Sequence, residues 1–249
     1  MHIKHWLINA YLDCCDPNLN CIENDVNRTF KKDPNFENLR DKLHHILSSY
    51  SKRNADIGYC QSMNYLAGTI LRVIQDEEST FWVFWNLLEN ILPLNYYTNL
   101  IDVEIDQTVF MWILEELMPD LNEHFTTKQF DLERIIFEWF LSLFTWKWPE
   151  MITQTIWDFI LLEGSSAIFK IAFAILDIVK YRLMEAKDIF EIDTILTKEI
   201  SEHVNNEETL VMHIYKYSDL DISQIRKLRE ISTKEKIREG KITSQIENR

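Results

Sequence analysis

Glycine and proline are scarce in this chain, and that scarcity limits the folds open to it. Only four glycines and five prolines occur among 249 residues, while 46% of the residues are hydrophobic. Sandwiches, barrels and doubly wound sheets need many tight turns, which use glycine and proline heavily. The hydrophobic fraction indicates a packed globule and argues against disorder. The sequence therefore predicts an all-α fold.

The same scarcity excludes two kinds of nucleotide site. The sequence has no GxxxxGK[ST] string, whose backbone would cradle phosphates, and no GxGxxG string for a dinucleotide. If a nucleotide takes part in the function, we expect another protein to carry it.

Charge and cysteine spacing exclude further classes. The net charge of −14 repels nucleic acid and anionic lipid, although the segment from Asp221 onward carries eight Lys or Arg against five Asp or Glu. Cys14, Cys15, Cys21 and Cys60 show no CxxC spacing, so free thiols in a reducing cytosol are favoured over a zinc cluster with His2 and His5. The N-terminus does not resemble a signal peptide, and no uncharged apolar run approaches the ~18 residues that span a bilayer.

Apolar spacing of three and four residues predicts a series of helices. The first long helix is expected from Phe36 to about Lys52, and the next from Tyr59 to about Gln75. Later helices are predicted over 77–90, 102–118, 130–146, 149–162 and 165–184, followed by shorter ones and a charged helix after about Asp219. Residues 165–184 are apolar on almost every side, which predicts a central position.

Two short polar strings interrupt this apolar pattern. The first runs Asp25-Val26-Asn27-Arg28-Thr29, and the second begins Gly58-Tyr59-Cys60-Gln61-Ser62. Taken alone, Arg28 is most simply a surface arginine paired with Asp25 one helical turn away, and Gln61 an ordinary residue at a helix start. An arginine can also neutralise charge on transferring phosphoryl oxygens, and a glutamine can orient an attacking water.

The strings resemble motifs of the TBC domain of Rab GTPase-activating proteins. The first is similar to the IxxDxxR motif and the second to the YxQ motif. Ser142-Leu143-Phe144 resembles a third signature, Ile156-Trp157-Asp158 with Gly164 resembles the next helix, and Pro119, Leu121 and His124 fall in register. Ser62 replaces the usual glycine, and Ala55 replaces a frequent proline.

The resemblance covers roughly residues 10 to 205. We therefore predict a TBC-like domain over 1–205 and a charged helical extension over 206–249. Because only 24 residues precede Asp25, we expect either an abbreviated N-terminal subdomain or a chain that starts inside the family's usual boundary.

The resemblance implies that Arg28 and Gln61 are an arginine finger and a glutamine finger supplied in trans to a Rab-family GTPase. Asp25 would orient the guanidinium, and Tyr59 would either pack the loop in place or touch the GTPase. The partner would carry GTP and Mg²⁺, so no cofactor or metal is expected on this chain, and nucleic acid is not an expected partner. A TBC-like interaction module that binds GTPases or trafficking factors without accelerating hydrolysis is the alternative. Either protein would be cytoplasmic or, at most, peripheral to endomembranes.

Overall fold

The computed structural model describes residues 18–145 and 148–240. Every regular element in that part of the chain is helical, and it contains no strand, which confirms the predicted fold class. None of its helices is long and apolar enough to cross a membrane. The chain divides into two compact units, Met1–Leu100 and Ile101–Arg249.

The first unit contains four described α-helices and two shorter helical segments. They are α1 (Leu19–Arg28), a 3₁₀ segment (Pro34–Leu39), α2 (Arg40–Arg53), α3 (Met63–Ile74), α4 (Glu77–Asn86) and a π-helical turn (Leu87–Ile91). The carboxylate of Asp33 caps the 3₁₀ segment and that of Asp76 caps α4, each accepting a backbone N–H.

Helix α2 lies at the centre of the first unit, where it packs against α1, α3 and α4. The predicted apolar stripe is confirmed; it begins at the last residue of the 3₁₀ segment and continues along α2, with these side chains buried: Leu39, Leu43, Ile46, Leu47 and Tyr50. Burial of a leucine or isoleucine contributes about 2 kcal/mol each, so this stripe supplies much of the unit's stability.

Two predicted helix boundaries are wrong for the same reason. Helix α3 begins at Met63 instead of Tyr59, because Ser62 has a left-handed φ of 94°. The helix predicted to reach Trp146 ends at Ser142, because Leu143 and Phe144 have φ values of 45° and 58°. Apolar spacing continues through both breaks, so the pattern could not reveal them.

The second unit begins at Ile101 and continues the all-helical pattern. Its elements are α5 (Ile101–Leu117), α6 (Pro119–Lys128), α7 (Leu132–Ser142), α8 (Glu150–Glu163), α9 (Ser166–Glu185), α10 (Ile189–Thr194), a π-helical turn (Ile195–Glu199), α11 (Ile200–His203), α12 (Glu207–Lys216) and α13 (Ile222–Arg238).

Helix α9 occupies the centre of the second unit, as its composition predicted. It contacts α6, α7, α8 and α12, and the apolar residues from Ala167 to Leu176 are fully buried. Phe173 on this helix stacks on Phe110 of α5, with 4.3 Å between ring centroids. Its charged residues pair at the rim: Lys170 Nζ lies 2.8 Å from Glu163, and Asp177 accepts from His213 and Lys216 of α12.

The charged helix predicted after Asp219 is α13, which packs along α5. Arg229 on α13 forms a two-pronged ion pair with the fully buried Asp106 of α5, at 2.6 and 2.8 Å. Burial raises the pKa of Asp106 to about 6 although Arg229 opposes the rise. The separation of a 206–249 extension from a 1–205 domain stays a prediction.

Candidate functional site

Arg28 is the last residue of α1, and its position follows from how that helix ends. Thr29 leaves the helix with φ −66° and ψ 125°, and Phe30 follows with a left-handed φ of 44°. The side chain of Arg28 is 50% exposed, and its Nη2 lies 2.8 Å from Oδ1 of Asp25. The predicted ion pair is therefore present, and it leaves half of the Arg28 side chain open to solvent.

Tyr59 reaches the same carboxylate from a different segment. It lies in the loop between α2 and α3, and its hydroxyl donates to Oδ2 of Asp25 over 2.6 Å. Burial and this hydrogen bond raise the pKa of Tyr59, so the phenol stays a donor at any physiological pH. Asp25 therefore binds Arg28 with one oxygen and Tyr59 with the other.

Gln61 lies two residues beyond Tyr59 on the same loop, and it is exposed. The loop turns sharply at Ser62, and the N–H of Cys60 approaches Met63 Sδ at 3.3 Å. Three of the four predicted site residues are thus joined directly, through Asp25, and the loop that carries Gln61 is tied to them through Tyr59.

Glu89 anchors the beginning of this loop, and sequence reasoning missed it. Its Oε1 accepts hydrogen bonds from Tyr50, Arg53 and Asn54, at 3.3, 3.0 and 3.0 Å. Asn54 in turn accepts the N–H of Ile57 at 3.2 Å, which fixes the turn before Gly58. No local signal marks Glu89, because these partners lie at least 35 residues away along the chain.

The end of α1 is also bound by α2 and α3. Arg40 at the start of α2 donates to the carbonyls of Val26 at 2.5 Å and Thr29 at 3.1 Å. Asn64 in the first turn of α3 donates to the hydroxyl of Thr29 at 2.7 Å. Carbonyls at a helix C-terminus lack intrahelical partners and carry partial negative charge, so a cation such as Arg40 stabilises them.

Gly68 lets α3 approach this helix end closely. A Cβ atom at Gly68 would lie only 3.1, 3.2 and 3.3 Å from atoms of Phe30, Phe36 and Thr29. These distances are too short for ordinary packing, so a larger residue would push α3 away from the segment that follows Arg28. The sequence feature that could have indicated this close contact between α3 and the end of α1 is a glycine within a predicted helix.

No cluster of three or more His, Cys, Asp or Glu that could hold a metal occurs in the ranges 18–145 and 148–240. Cys21 and Cys60 are free thiols there, and burial with the nearby Asp25 raises the pKa of Cys60. His2, His5, Cys14 and Cys15, the other members of the zinc arrangement considered above, lie outside the described residues.

The model of the Rab-GTPase-TBC domain matches residues 7–184. This chain belongs to that family. It is 36% identical over 184 residues to TBC1 domain family member 2A of Rattus norvegicus, a match that covers 72% of this chain and 20% of the rat protein. The chain therefore spans about a fifth of the length of the curated relatives it matches.

Two solved TBC domains share the fold. The Chlamydomonas flagellar RabGAP TBC domain superposes with a TM-score of 0.75 at 24% identity, covering 85% of this chain and 71% of that chain. The Ypt/Rab-GAP domain of Gyp1p superposes with a TM-score of 0.71 at 18% identity, covering 87% of this chain and 79% of that chain.

The remaining TBC-like signatures have structural roles in the second unit. Ser142, Leu143 and Phe144 are buried, as expected for core positions. The indole N–H of Trp157 donates to the carbonyl of Leu143 at 3.0 Å, which joins α8 to the end of α7. Gly164 ends α8 with a left-handed φ of 74°.

Proposed function

We propose that this chain accelerates GTP hydrolysis by a Rab-type small GTPase, to which it supplies Arg28 and Gln61 in trans. One observation carries the proposal. Asp25 binds the half-exposed Arg28 and also binds Tyr59, whose loop presents Gln61 to solvent two residues later. Family membership supports the same function, because the two solved structures are named as Rab GTPase-activating domains.

The chemistry assigned to each side chain follows from its functional group. The planar guanidinium of Arg28 would offer two parallel donors to oxygens that gain charge as the γ-phosphoryl group leaves. The carboxamide of Gln61 would position the attacking water. The GTPase would hold GTP and Mg²⁺, since the sequence contains neither phosphate-binding motif. An arginine finger contributes about 10³–10⁵ in rate, or roughly 4–7 kcal/mol of barrier.

Asp25 and Tyr59 are assigned supporting roles. The carboxylate restrains the guanidinium without covering it, and a restrained side chain loses less conformational entropy when the partner arrives. Tyr59 keeps the loop against that carboxylate.

Single-turnover hydrolysis by a panel of GTP-loaded Rab-type GTPases tests the proposal. We expect the wild-type chain to accelerate at least one of them, and Arg28→Ala or Gln61→Ala to remove most of the acceleration in a folded protein. Arg28→Lys should not restore it, because an ammonium lacks the planar fork.

Matched controls are available in the second unit. Arg182 is 51% exposed and pairs with Glu199 at 3.2 Å, so Arg182→Ala removes a comparable surface ion pair. Gln154→Ala removes an exposed glutamine of α8. Both controls should keep full activity. Full activity in Arg28→Ala, or equal losses in the controls, would contradict the proposal.

A binding module without catalysis is the second candidate, and Ser62 favours it. A non-glycine residue with φ 94° is strained, and this strain destabilises the conformation in which the loop presents Gln61. Tight binding of a GTP-loaded GTPase without faster hydrolysis would identify this alternative. The cytoplasmic location and peripheral association with endomembranes stay predictions, which fractionation of cells expressing the chain would test.

A further inference from the structure

We infer that Thr29 and Asn64 are positioning residues that join the end of α1 to the start of α3, so that Arg28 and Gln61 are presented together. The inference rests on the proposed function. Neither side chain reaches solvent, so both would act through their neighbours.

Thr29 directly follows Arg28, and its hydroxyl has two partners. It donates to the carbonyl of Asp25 over 2.6 Å, and it accepts from Nδ2 of Asn64 over 2.7 Å. The first bond closes the last turn of α1 around Asp25 and Arg28. The second ties that turn to another helix.

Asn64 lies three residues after Gln61, in the first turn of α3. Its Nδ2 also approaches the carbonyl of Asp25, at 3.4 Å. Within the described part of the chain no donor reaches its Oδ1, although that atom is buried. Leaving a buried acceptor unpaired costs free energy, so the packing of the core does not by itself favour an asparagine here. The hydrogen bonds of the Asn64 side chain are made by its Nδ2 donor.

The link adds a buried hydrogen bond between two segments that are distant in sequence. Arg28 is at the end of one helix, Gln61 is just before another, and the two segments are separated by α2. The hydroxyl of Tyr59 makes one partly buried connection between them, through Asp25. The Thr29–Asn64 bond makes a second connection beneath it, in the dry interior where hydrogen bonds are strongest.

Loss of the buried link should reduce hydrolysis more than binding. A finger displaced by about 1 Å can lose about 100-fold in rate, because its interaction is made with the transition state. The docking surface of the partner would change far less. We therefore expect the maximal rate to fall while the concentration needed for half-saturation changes by less than about 3-fold.

Thr29→Val is the decisive variant, and Thr80→Val is its matched control. Valine has the shape of threonine and adopts the extended backbone of Thr29, so the change replaces the hydroxyl with a methyl group and breaks both of its hydrogen bonds. Thr80 is equally buried in the same unit, and its hydroxyl donates to the carbonyl four residues earlier over the same 2.6 Å. No bond connects Thr80 to Arg28 among the contacts of the described residues. Thr29→Ser keeps the hydroxyl and should rescue activity.

We expect Thr29→Val to lower the single-turnover rate at least about 10-fold, with Thr29→Ser and Thr80→Val within about 3-fold of wild type. Thr29→Val should lower the thermal midpoint more than Thr80→Val, because it also removes the close acceptor of the buried Asn64 amide. The rates are therefore compared at a temperature at which both variants are folded. An undiminished rate in Thr29→Val, or an equal loss in Thr80→Val, would overturn the inference.

A second measurement does not depend on catalysis. In protein labelled with ¹⁵N-arginine, the Nε–H signal of Arg28, assigned by its loss in Arg28→Lys, reports the mobility of the guanidinium. The order parameter should fall in Thr29→Val and stay unchanged in Thr80→Val. If the wild-type chain accelerates no GTPase, the proposed function fails. The NMR comparison then still supports or overturns the positioning role.

Discussion

The buried polar groups of the two units make different kinds of contact. In the first unit, the buried Asp25, Thr29 and Asn64 connect the segments that carry Arg28 and Gln61. In the second unit, the buried Asp106 meets Arg229, which joins α5 to α13 beside an aromatic core. The comparison shows that buried polar groups link a half-exposed arginine to a loop in one unit and join two helices in the other.

Net charge also differs between the two units. Residues 1–100 contain nine Lys or Arg against twelve Asp or Glu, whereas residues 101–249 contain seventeen against twenty-eight. The unit with the candidate site therefore carries −3 of the total −14, and the other carries −11. A partner that approaches the first unit meets a nearly neutral chain, so long-range repulsion would oppose an acidic partner less there.

The largest effect on stability is expected at the ion pair of the second unit. Arg229→Met would leave the carboxylate of Asp106 buried without its partner, at a cost of about 3–5 kcal/mol in the free energy of unfolding. Chemical denaturation measures this loss. The hydrolysis rate should be unchanged at temperatures where the variant remains folded.

The double variant Asp106→Leu with Arg229→Met is the control for this prediction. It removes both charges, so most of the lost stability should return. If Arg229→Met costs less than about 1 kcal/mol, or slows hydrolysis in folded protein, the contrast between the units is wrong.

Tyr59→Phe is expected to have an intermediate effect, and it tests the network of the first unit. The change deprives Asp25 of one donor, so unfolding should become easier by about 1–3 kcal/mol. The hydrolysis rate should also fall, by about 10-fold, because the loop of Gln61 loses its tie to Arg28. Denaturation and single-turnover assays measure the two quantities.

Tyr50→Phe provides the comparison for Tyr59→Phe. Tyr50 is buried in the same unit and donates to Glu89 at 3.3 Å. Its loss should cost a similar free energy of unfolding with a smaller loss of rate. Glu89 keeps its hydrogen bonds from Arg53 and Asn54 in this variant. Equal rate losses would therefore show that the bond from Tyr59 to Asp25 has no special part in placing the loop.

The smallest effect is expected at Ser62. Glycine adopts a φ of 94° without strain, so Ser62→Gly should raise the free energy of unfolding by about 0.5–1 kcal/mol after the larger entropy of the unfolded chain is subtracted. Denaturant midpoints measure the gain. A net loss of stability would show that the serine side chain makes a stabilising contribution that its strained backbone does not reveal.

The helical fold and the candidate motifs could be predicted, whereas the connections between them could not. Apolar spacing predicted α2 and the central α9, because a helix must bury one face or several. Spacing within a motif also predicted the Asp25–Arg28 pair, since residues three apart lie on one face of a helix. The resemblance named Tyr59 and Gln61, but their roles stay predictions.

Long-range partners account for most of what was missed. Glu89 at the loop, Asn64 at Thr29 and Arg229 at Asp106 join positions 35 to 123 residues apart. The few residues on either side of such a position do not distinguish it from a polar residue on the surface. The left-handed Ser62, Leu143 and Phe144 were missed because they interrupt helices without glycine or proline.

The sequence alone determined that the chain forms helices, which faces of those helices are apolar, and that two polar motifs carry an arginine and a glutamine. Only the tertiary structure decided that one buried carboxylate would bind both Arg28 and Tyr59, and that Thr29 would meet Asn64 beneath them. The physical reason is the range of each effect. Helix formation and amphipathicity act over a few residues, but a buried hydrogen bond requires two distant groups to be desolvated at the same place.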